Sequence, residues 1–408
     1  MVSTVVEYFT RKGNPVFGAS MDMSKAFDMV KWTELFNILL ERRLSPIIVR
    51  LLLYIYCSQR CTVKWGSCTA EHFSVSNGVR QGGVSSGIFF VVYIDKLLTL
   101  LRKSGLGCTL HNVFLGATIY ADDIFLLSAS RYGLQAMVQI CEQFGSTINL
   151  KFGTNENPVK SKTKCIMFTQ SRRIITEVKQ IQLGGNRLPW VNQVKHLGHT
   201  LQSDNSKNID MSIKRGRFIA KVNALLEEFH YAAPDVVMKL LQTYACNIYG
   251  SNTWDLFSRE CQKVYTNYNV AVRNMLKLPR TTHRYLLEPL TESPHLFTQL
   301  VSRYVTFVSS LLCSNAFEVR FLVRLCMNDQ RTVLGRTMTR IALLCNARPD
   351  DISSNMVKKS VKYAPIPEAE VWRIGVVQNM CSIRDRTIPD HGLTDTEAAE
   401  ILDFACTS

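Results

Sequence analysis

Two adjacent aspartates interrupt an otherwise apolar strand pattern, and this interruption constrains the fold more than any other feature of the sequence. Asp122 and Asp123 lie within GATIYADDIFLLSAS, residues 116–130, and every other residue between Ile119 and Leu127 is apolar or aromatic. A buried carboxylate without a partner is costly unless it stays protonated. The chain must therefore either expose the pair at a turn, where aspartate is common, or bring a cation to it.

A third carboxylate occupies the end of another predicted strand. NPVFGASMD, residues 14–22, reads as a strand that ends at Asp22, and the aspartate pair lies at the tip of a predicted hairpin. If the two strand ends meet, their carboxylates form the hard-oxygen site that Mg²⁺ prefers, completed by substrate phosphates. Two such ions about 4 Å apart activate a hydroxyl and stabilise the leaving oxygen in phosphoryl transfer. For the aspartate pair taken alone, an exposed hairpin turn is the simpler interpretation.

The charge balance favours a polyanionic partner. The 408 residues include 48 Lys and Arg against 33 Asp and Glu, a formal net charge of +15. Such a surplus points to nucleic acid first and to an anionic membrane surface second. No apolar run reaches the roughly 18 to 20 residues that span a bilayer, the start lacks the layout of a secretory signal, and the cysteines form no CxxC pair. We therefore expect an intracellular protein that does not enter a membrane.

The apolar pattern predicts alternating strands and helices up to about residue 201 and helices from about residue 206. The elements predicted in the first part are a helix that Asp28 caps and that buries Trp32, Leu35, Phe36, Leu39 and Leu40, a hairpin over 60–79, a helix over 84–105 that Ser85 or Ser86 caps, a helix over 131–145, and a hairpin over 188–201. After a break at 201–208, the first helix places Lys214, Arg217 and Lys221 together on one side, away from its apolar side.

Five motifs follow one another in an order that is typical of one polymerase family. They are MDMSKAFD, NGVRQGG, YADD, KSKTKCIMF and KHLG, and they begin at residues 21, 77, 120, 160 and 195. The series resembles the palm motifs of reverse transcriptases, specifically the polymerases of non-LTR (LINE-type) retrotransposons. The likeness covers about residues 14–201 and continues through GSNTWDLF and THRYLLEPL in the helical part. It implies an α+β fold, a right-hand polymerase palm whose antiparallel sheet is backed by helices, followed by an all-helical thumb and C-terminal region.

The resemblance divides the chain into three segments. Residues 1–201 would be the palm with the fingers largely missing, 206–290 a helical thumb-like region, and 291–408 a helical C-terminal region of unknown role. Relatives carry a long fingers region, whose basic residues hold the triphosphate, and an endonuclease ahead of the first motif, whereas a short stretch precedes it here. We therefore expect an N-terminally truncated polymerase that is inactive or weak in isolation.

The resemblance also implies roles for individual residues. Asp22 and Asp122 would hold two Mg²⁺ ions, for which Mn²⁺ would substitute, and Asp123 would complete the acidic cluster. The other implied roles are nucleotide binding by Phe27, Gln81 and Gly82, general acid catalysis by one of Lys160, Lys162 and Lys164, and nucleic-acid binding by Arg80, Lys214, Arg217 and Lys221. The sequence leaves three alternatives open: which lysine is the acid, whether Phe27 excludes a 2′-hydroxyl or fills the core, and whether Arg80 contacts phosphate or pairs with an acid.

The implied function is RNA-directed DNA polymerisation. The protein would extend a DNA primer 3′-hydroxyl with dNTPs on an RNA template, in the nucleus if it follows its relatives, and the sequence identifies no protein partner. The alternative is a catalytically inactive remnant that only binds RNA or RNA–DNA hybrid. A palm-type nucleotide cyclase also uses acids on strands, but it does not explain the RQGG motif, the lysine-rich loop or the basic helix.

Overall fold

The structure is a computed structural model, and it describes residues 1–155, 157, 160–169, 179–291, 293–353 and 356–357. The chain divides into two compact units, Met1–Ser206 and Lys207–Ser408. Each unit has its own hydrophobic core. Within the described ranges, no helix is both long and apolar enough to cross a membrane.

The first unit combines helices with short antiparallel strands. Its helices are α1 (Val2–Arg11), α2 (Trp32–Glu41), α3 (Pro46–Cys57), α4 (Ser86–Lys103) and α5 (Arg131–Thr147). Its strands are β1 (Val16–Ser24), β2 (Arg60–Cys61), β3 (Lys64–Trp65), β4 (Cys68–Thr69), β5 (Phe73–Ser74), β6 (Thr109–Leu110), β7 (Val113–Phe114), β8 (Ala117–Tyr120), β9 (Asp123–Ser128), β10 (Lys151–Phe152), β11 (Lys164–Phe168), β12 (Ile181–Leu183), β13 (Asn186–Leu188), β14 (Gln193–His196) and β15 (His199–Gln202).

Strand β1 lies at the centre of the main sheet. The strand order is β10-β1-β9-β8, and β11 also pairs with β1. Along β1 the side chains of Ala19, Met21 and Met23 are buried in the core with α4 and α5, whereas Ser20 and Asp22 on the other face remain partly exposed. This alternation is the two-residue period of a strand with one covered face. The expected antiparallel sheet backed by helices is confirmed.

Two predicted hairpins are also confirmed. The region predicted as a hairpin over 60–79 contains two nested pairs, β2 with β5 and β3 with β4. Strands β14 and β15 pair through the KHLG motif. The turn between them is made by Leu197 and Gly198, both with positive φ, which matches the twist of a two-residue hairpin.

Helix α2 begins later than the sequence predicted, so the assignment of Asp28 as its cap is wrong. The helix starts at Trp32, and Lys31 precedes it without a side-chain hydrogen bond to the helix. Residues 25–29 instead form a turn after β1. Asp28 Oδ1 accepts a hydrogen bond from Gln81 Nε2 at 3.2 Å, which joins this turn to the RQGG motif.

The second unit is helical in the part that the structure describes. Its helices are α6 (Asn208–Glu228), α7 (Pro234–Leu240), α8 (Arg259–Met275), α9 (Arg284–Thr291), α10 (Leu296–Leu312), α11 (Phe317–Met327) and α12 (Val333–Cys345), with a π-helical turn at Leu241–Ala245 and 3₁₀ turns at Ser251–Thr253 and Pro349–Asp351. The rest of the expected helical region over 291–408, from residue 358 onwards, lies outside the described residues.

Lys214 of α6 is buried, so the expected placement of three exposed basic residues on this helix is wrong for one of them. Its side chain is 6% exposed, and Nζ donates a hydrogen bond to Asp210 Oδ2 at 2.8 Å. Trp254 Nε1 donates to the same oxygen at 3.3 Å. The ammonium can be buried because a buried carboxylate partner compensates its charge. Arg217 and Lys221 remain exposed.

His295 is a buried N-cap of α10 and is neutral. Its Nδ1 accepts a hydrogen bond from Phe297 N at 3.1 Å, and its Nε2 lies 2.7 Å from Asn269 Oδ1. The first contact needs an unprotonated Nδ1, so Nε2 carries the proton and donates it to Asn269. Burial, helped by the charge of Arg284, lowers the pKa of His295 to about 4 from its ordinary 6.5.

This histidine makes the stability of the second unit depend on pH. Between its unfolded pKa of 6.5 and its folded pKa of about 4, the unfolded state binds the extra proton. We therefore expect the free energy of unfolding to reach its full value above pH 6.5 and to decrease as the pH falls toward 4. His295→Asn keeps an N-cap acceptor but cannot titrate, so it should flatten this decrease. Denaturant unfolding followed by circular dichroism across this range checks the expectation, and an equal slope in both proteins would contradict it.

Candidate active site

Strand register brings the predicted carboxylates to one place. Asp22 of β1 pairs directly with Asp123 of β9, and Asp122 is the preceding residue. Directly opposed residues of an antiparallel pair have Cβ atoms about 4.5 to 5.5 Å apart. The structure therefore brings the three predicted acids together at the end of the covered part of the sheet.

A tight turn presents Asp122. Tyr120 pairs with Asp123, so Ala121 and Asp122 form a two-residue turn between β8 and β9. Ala121 has a φ of 51°, in the left-handed region that residues other than glycine seldom adopt. Strain of this kind costs on the order of 1 kcal/mol or more and is concentrated at functional sites. The backbone of Ala121 at the hairpin tip is therefore strained, next to the three acids.

The loop that precedes β11 contacts Asp22 closely. Gly153 N donates to Asp22 O at 2.7 Å, and Asp22 N donates to Thr163 Oγ1 at 3.4 Å. A Cβ at position 153 would come within 2.9 Å of Asp22 Oδ2, so glycine leaves the room that this oxygen occupies. Asp22 Oδ2 is itself buried and makes no hydrogen bond with any described residue.

One lysine of the basic motif lies beside this oxygen. Lys162 Nζ is 3.6 Å from Asp22 Oδ2, and the two side chains are 70% and 36% exposed. Lys160 is exposed elsewhere in the loop, and Lys164 belongs to β11, where it pairs with Ser20. Extending that antiparallel register by two residues along each strand places Lys162 opposite Asp22. The sequence left open which of the three lysines lies near the acids. The register between β1 and β11 decides this, and it cannot be read from the sequence.

Burial and the neighbouring acids shift the pKa of Asp123 in the same direction. Burial raises the pKa of its carboxyl, and the charges of Asp122 and Asp22 raise it further. In the described part of the chain, no group of three or more His, Cys, Asp or Glu side chains is arranged to hold a metal ion. Mg²⁺ needs fewer protein ligands than that, because it is usually held by one or two carboxylates together with substrate phosphates.

The predicted nucleotide-binding residues lie on the turn after β1 and on the RQGG motif. Phe27 is half-buried and stacks on Phe90 of α4, with ring centroids 4.8 Å apart, so it contacts the core while keeping an open side. Gly82 has a φ of 79°, which requires glycine. Arg80 is exposed and forms no ion pair with a described residue, and Gln81 is hydrogen-bonded to Asp28. The roles of these residues stay predictions.

The remaining predicted residues, Arg217 and Lys221, belong to the second unit, together with the buried Lys214. Sequence reasoning did not single out Gly153 or Thr163, which contact Asp22. The only sequence signal for them is that both lie in the segment that leads into β11.

Comparisons with known proteins agree with this geometry. Residues 3–201 match the family model described as "Reverse transcriptase (RNA-dependent DNA polymerase)". The chain is similar to the retrovirus-related Pol polyprotein from type-2 retrotransposable element R2DM of Drosophila melanogaster, with 25% identity over 208 residues that cover 48% of this chain and 19% of that protein.

Two further relatives show the same partial match. The Transposon TX1 uncharacterized 149 kDa protein of Xenopus laevis is 29% identical over 145 residues, which cover 35% of this chain and 11% of that protein. The retrovirus-related Pol polyprotein from type-1 retrotransposable element R2 of Nasonia vitripennis is 25% identical over 142 residues, which cover 35% of this chain and 14% of that protein. The chain thus spans less than a fifth of each of these relatives.

The match covers the motifs, the central sheet and the acidic cluster. Residues 3–201 are therefore similar to reverse transcriptases, and two of the relatives that they resemble are Pol polyproteins of R2 retrotransposable elements.

Proposed function

We propose that the first unit catalyses RNA-directed DNA synthesis, the addition of dNTPs to a DNA primer 3′-hydroxyl on an RNA template. One observation carries the proposal: Asp22 lies between Asp123 on one side and Lys162 on the other. Three carboxylates and one amine at the open end of an antiparallel sheet provide both the negative charge that holds cations and a group that can donate a proton. Nucleotidyl transfer needs both.

Members of the reverse transcriptase family use divalent metal ions, and the residues present here fit such ions. Asp22 Oδ2 is a buried oxygen without a hydrogen-bond partner among the described residues, and it is the hard ligand that Mg²⁺ or Mn²⁺ prefers. In our proposal Asp22 and Asp122 hold two ions, and Asp123 completes the acidic cluster. When bound, the ions supply charge neutralisation at the attacking and leaving oxygens.

The protein groups around the acids would orient the substrates and move one proton. Lys162 Nζ would donate a proton to the departing pyrophosphate, and Asp22, 3.6 Å away, would keep that ammonium at the site. Phe27, braced by Phe90, would contact the sugar of the incoming nucleotide and exclude a 2′-hydroxyl. Gln81 and Gly82 would line the pocket for nucleotide and template.

The positive net charge of the protein supports an RNA template and a DNA primer as its polymeric partners. The formal net charge is +15, and Lys and Arg side chains that contact phosphates release the counterions of a nucleic acid. Arg80 in the first unit and Arg217 and Lys221 in the second are exposed and suit this role.

One observation favours the alternative, a module that binds RNA or RNA–DNA hybrid without catalysis. The ammonium of Lys162 already supplies a cation to Asp22. If that amine stays in place when divalent ions are present, it occupies the oxygen of Asp22 that a metal ion would need, and hybrid binding would persist without synthesis.

The crowding of the acids has a consequence for stability in the absence of divalent ions. Asp123→Asn should raise the melting temperature of the first unit at neutral pH by about 1 to 3 °C, because it removes the repelled charge at the cost of little packing. The gain should shrink as the pH falls through the raised pKa of Asp123, since protonation removes the same charge in the native protein. Differential scanning calorimetry in EDTA measures both effects. Asp28→Asn, which alters an exposed carboxylate away from the cluster, is the control, and an equal gain in both variants would refute the explanation.

Primer extension on a homopolymer RNA template tests the polymerase itself. The assay uses the chain as it stands and a fusion in which the preceding region of one of the curated relatives is joined ahead of residue 3. Extension with Mg²⁺ or Mn²⁺ should fall at least about 100-fold in Asp22→Asn and in Asp122→Asn, the scale of losing a group that acts only in the transition state. It should change little in Asp28→Asn.

Two lysine variants complete the experiment. Lys162→Ala should slow the chemical step about 10- to 100-fold and reduce its solvent isotope effect, whereas Lys160→Ala should not. Extension that survives Asp122→Asn would contradict the proposal. Retained hybrid binding with no extension by either protein would establish the alternative.

A further inference from the structure

The second unit carries an exposed set of aromatic and basic side chains outside the acidic site of the first unit. It consists of Arg217 and Lys221 of α6 with Tyr244 and Tyr249 from the segment that follows α7, and is called here the tyrosine–arginine stripe. Tyr244 is 60% exposed and Tyr249 is 66% exposed, although both belong to a unit with a large apolar core.

A π-helical turn places Tyr244 on the stripe. The turn runs from Leu241 to Ala245, and both of these end residues are buried. Lys221 Nζ donates a hydrogen bond to Tyr244 O at 2.8 Å, which fastens the turn to α6. Arg303 Nη1 donates to Cys246 O at 2.9 Å from within the unit. The backbone under Tyr244 is therefore held firmly, and π-helical turns of this kind are frequent at functional sites.

Tyr249 marks the other end of the stripe. Lys214 Nζ lies 5.8 Å from the centroid of its ring, and the buried ion pair of Lys214 with Asp210 fixes that ammonium. The α6 residues at the two ends, Lys214 and Lys221, are seven residues apart, about 10 Å along the helix axis. Arg217 lies between them at helical spacings that bring it close to both. Tyr249 therefore lies at the Lys214 end of this stretch of α6, and the backbone of Tyr244 lies at its Lys221 end.

The charge on the stripe is positive and uncompensated. Lys221 is hydrogen-bonded to a carbonyl oxygen, and within the described part of the chain neither it nor Arg217 forms an ion pair with a carboxylate. Exposed cations and exposed aromatic rings along the same helix form the arrangement on which single-stranded nucleic acids bind, with phosphates on the cations and bases stacked on the rings. A duplex offers the same phosphates, but its bases are already stacked on one another.

We propose that the tyrosine–arginine stripe binds an unpaired stretch of nucleic acid through stacking on Tyr244 and Tyr249 and phosphate contacts with Arg217 and Lys221. This goes beyond the proposed polymerase function, because it assigns to the second unit a preference for unpaired strands that the acidic site does not need. It also stands if the polymerase proposal fails, since binding requires no catalysis.

Fluorescence anisotropy with the full chain tests the stripe. The probes are a labelled single-stranded oligonucleotide and the duplex of the same sequence, each measured at several salt concentrations. Tyr244→Ala should weaken single-strand binding roughly 5- to 100-fold, the range expected for one lost stacking contact, and should change duplex binding less than about twofold. Arg217→Ala should weaken both and lower the salt dependence by about one counterion.

Three controls keep the outcome decisive. Tyr244→Phe retains the ring and should bind like the native chain. Tyr231→Ala removes another exposed tyrosine that is not on the stripe and should have no effect. Circular dichroism melts check that Tyr244→Ala remains folded, which we expect because the tyrosine side chain is exposed. Equal losses for single strand and duplex, unchanged single-strand binding in Tyr244→Ala, or equal binding of a labelled polyglutamate peptide would each overturn the proposal.

Discussion

The antiparallel register of β1 with β9 and β11 is the constraint on which the site depends. One register places Asp22 opposite Asp123, and the other leads Lys162 to the same residue. Side chains alternate along a strand, so a slip of one residue in β1 would turn Asp22 into the core and Met21 outward. Burying the aspartate there would remove a carboxylate from water without a partner, which is costly. The core therefore enforces the register, and the register assembles the site.

Packing on the covered face of the sheet holds this register in place. Met21 and Met23 of β1 are buried in one core with side chains of α4 and α5, and Ile124 and Leu126 of β9 join the same core. On the other face Gly18 leaves room for Phe125 and Ile166, because a Cβ there would come within 3.1 and 3.2 Å of them. Close packing on both faces around Gly18 fixes the strands, whereas the uncovered face near Asp22 leaves room for the acids.

Residues with local signals were predicted correctly, and those that depend on distant partners were not. The β8–β9 hairpin, α5 and the KHLG hairpin follow from short-range apolar periods and turn residues, and the structure contains all three. The cap at Asp28 failed because a turn over residues 25–29 delays the helix to Trp32, and the carboxylate instead accepts from Gln81, which is far away in sequence. Lys214 reads as a surface residue by helical position, yet Asp210 and Trp254 bury it.

The same distinction applies to the candidate site. The family motifs predicted the acids, which the register of β1 with β9 brings together. No local pattern separates Lys162 from Lys160, because only an extension of the β1–β11 register places Lys162 opposite Asp22. The sequence predicted nucleic-acid binding by the two cations of the tyrosine–arginine stripe but not its tyrosines, because a π-helical turn with no marked sequence pattern brings Tyr244 beside α6.

The central claim is that the acids assembled by the register of β1 bind divalent cations. Electron paramagnetic resonance of free Mn²⁺ titrated with the full chain measures this binding directly, and Mg²⁺ competition shows whether the site accepts both ions. We expect Asp22→Asn and Asp122→Asn each to weaken Mn²⁺ binding about tenfold or more, and Asp28→Asn to leave Mn²⁺ binding unchanged. Native affinity in Asp22→Asn, or an equal loss in Asp28→Asn, would contradict it.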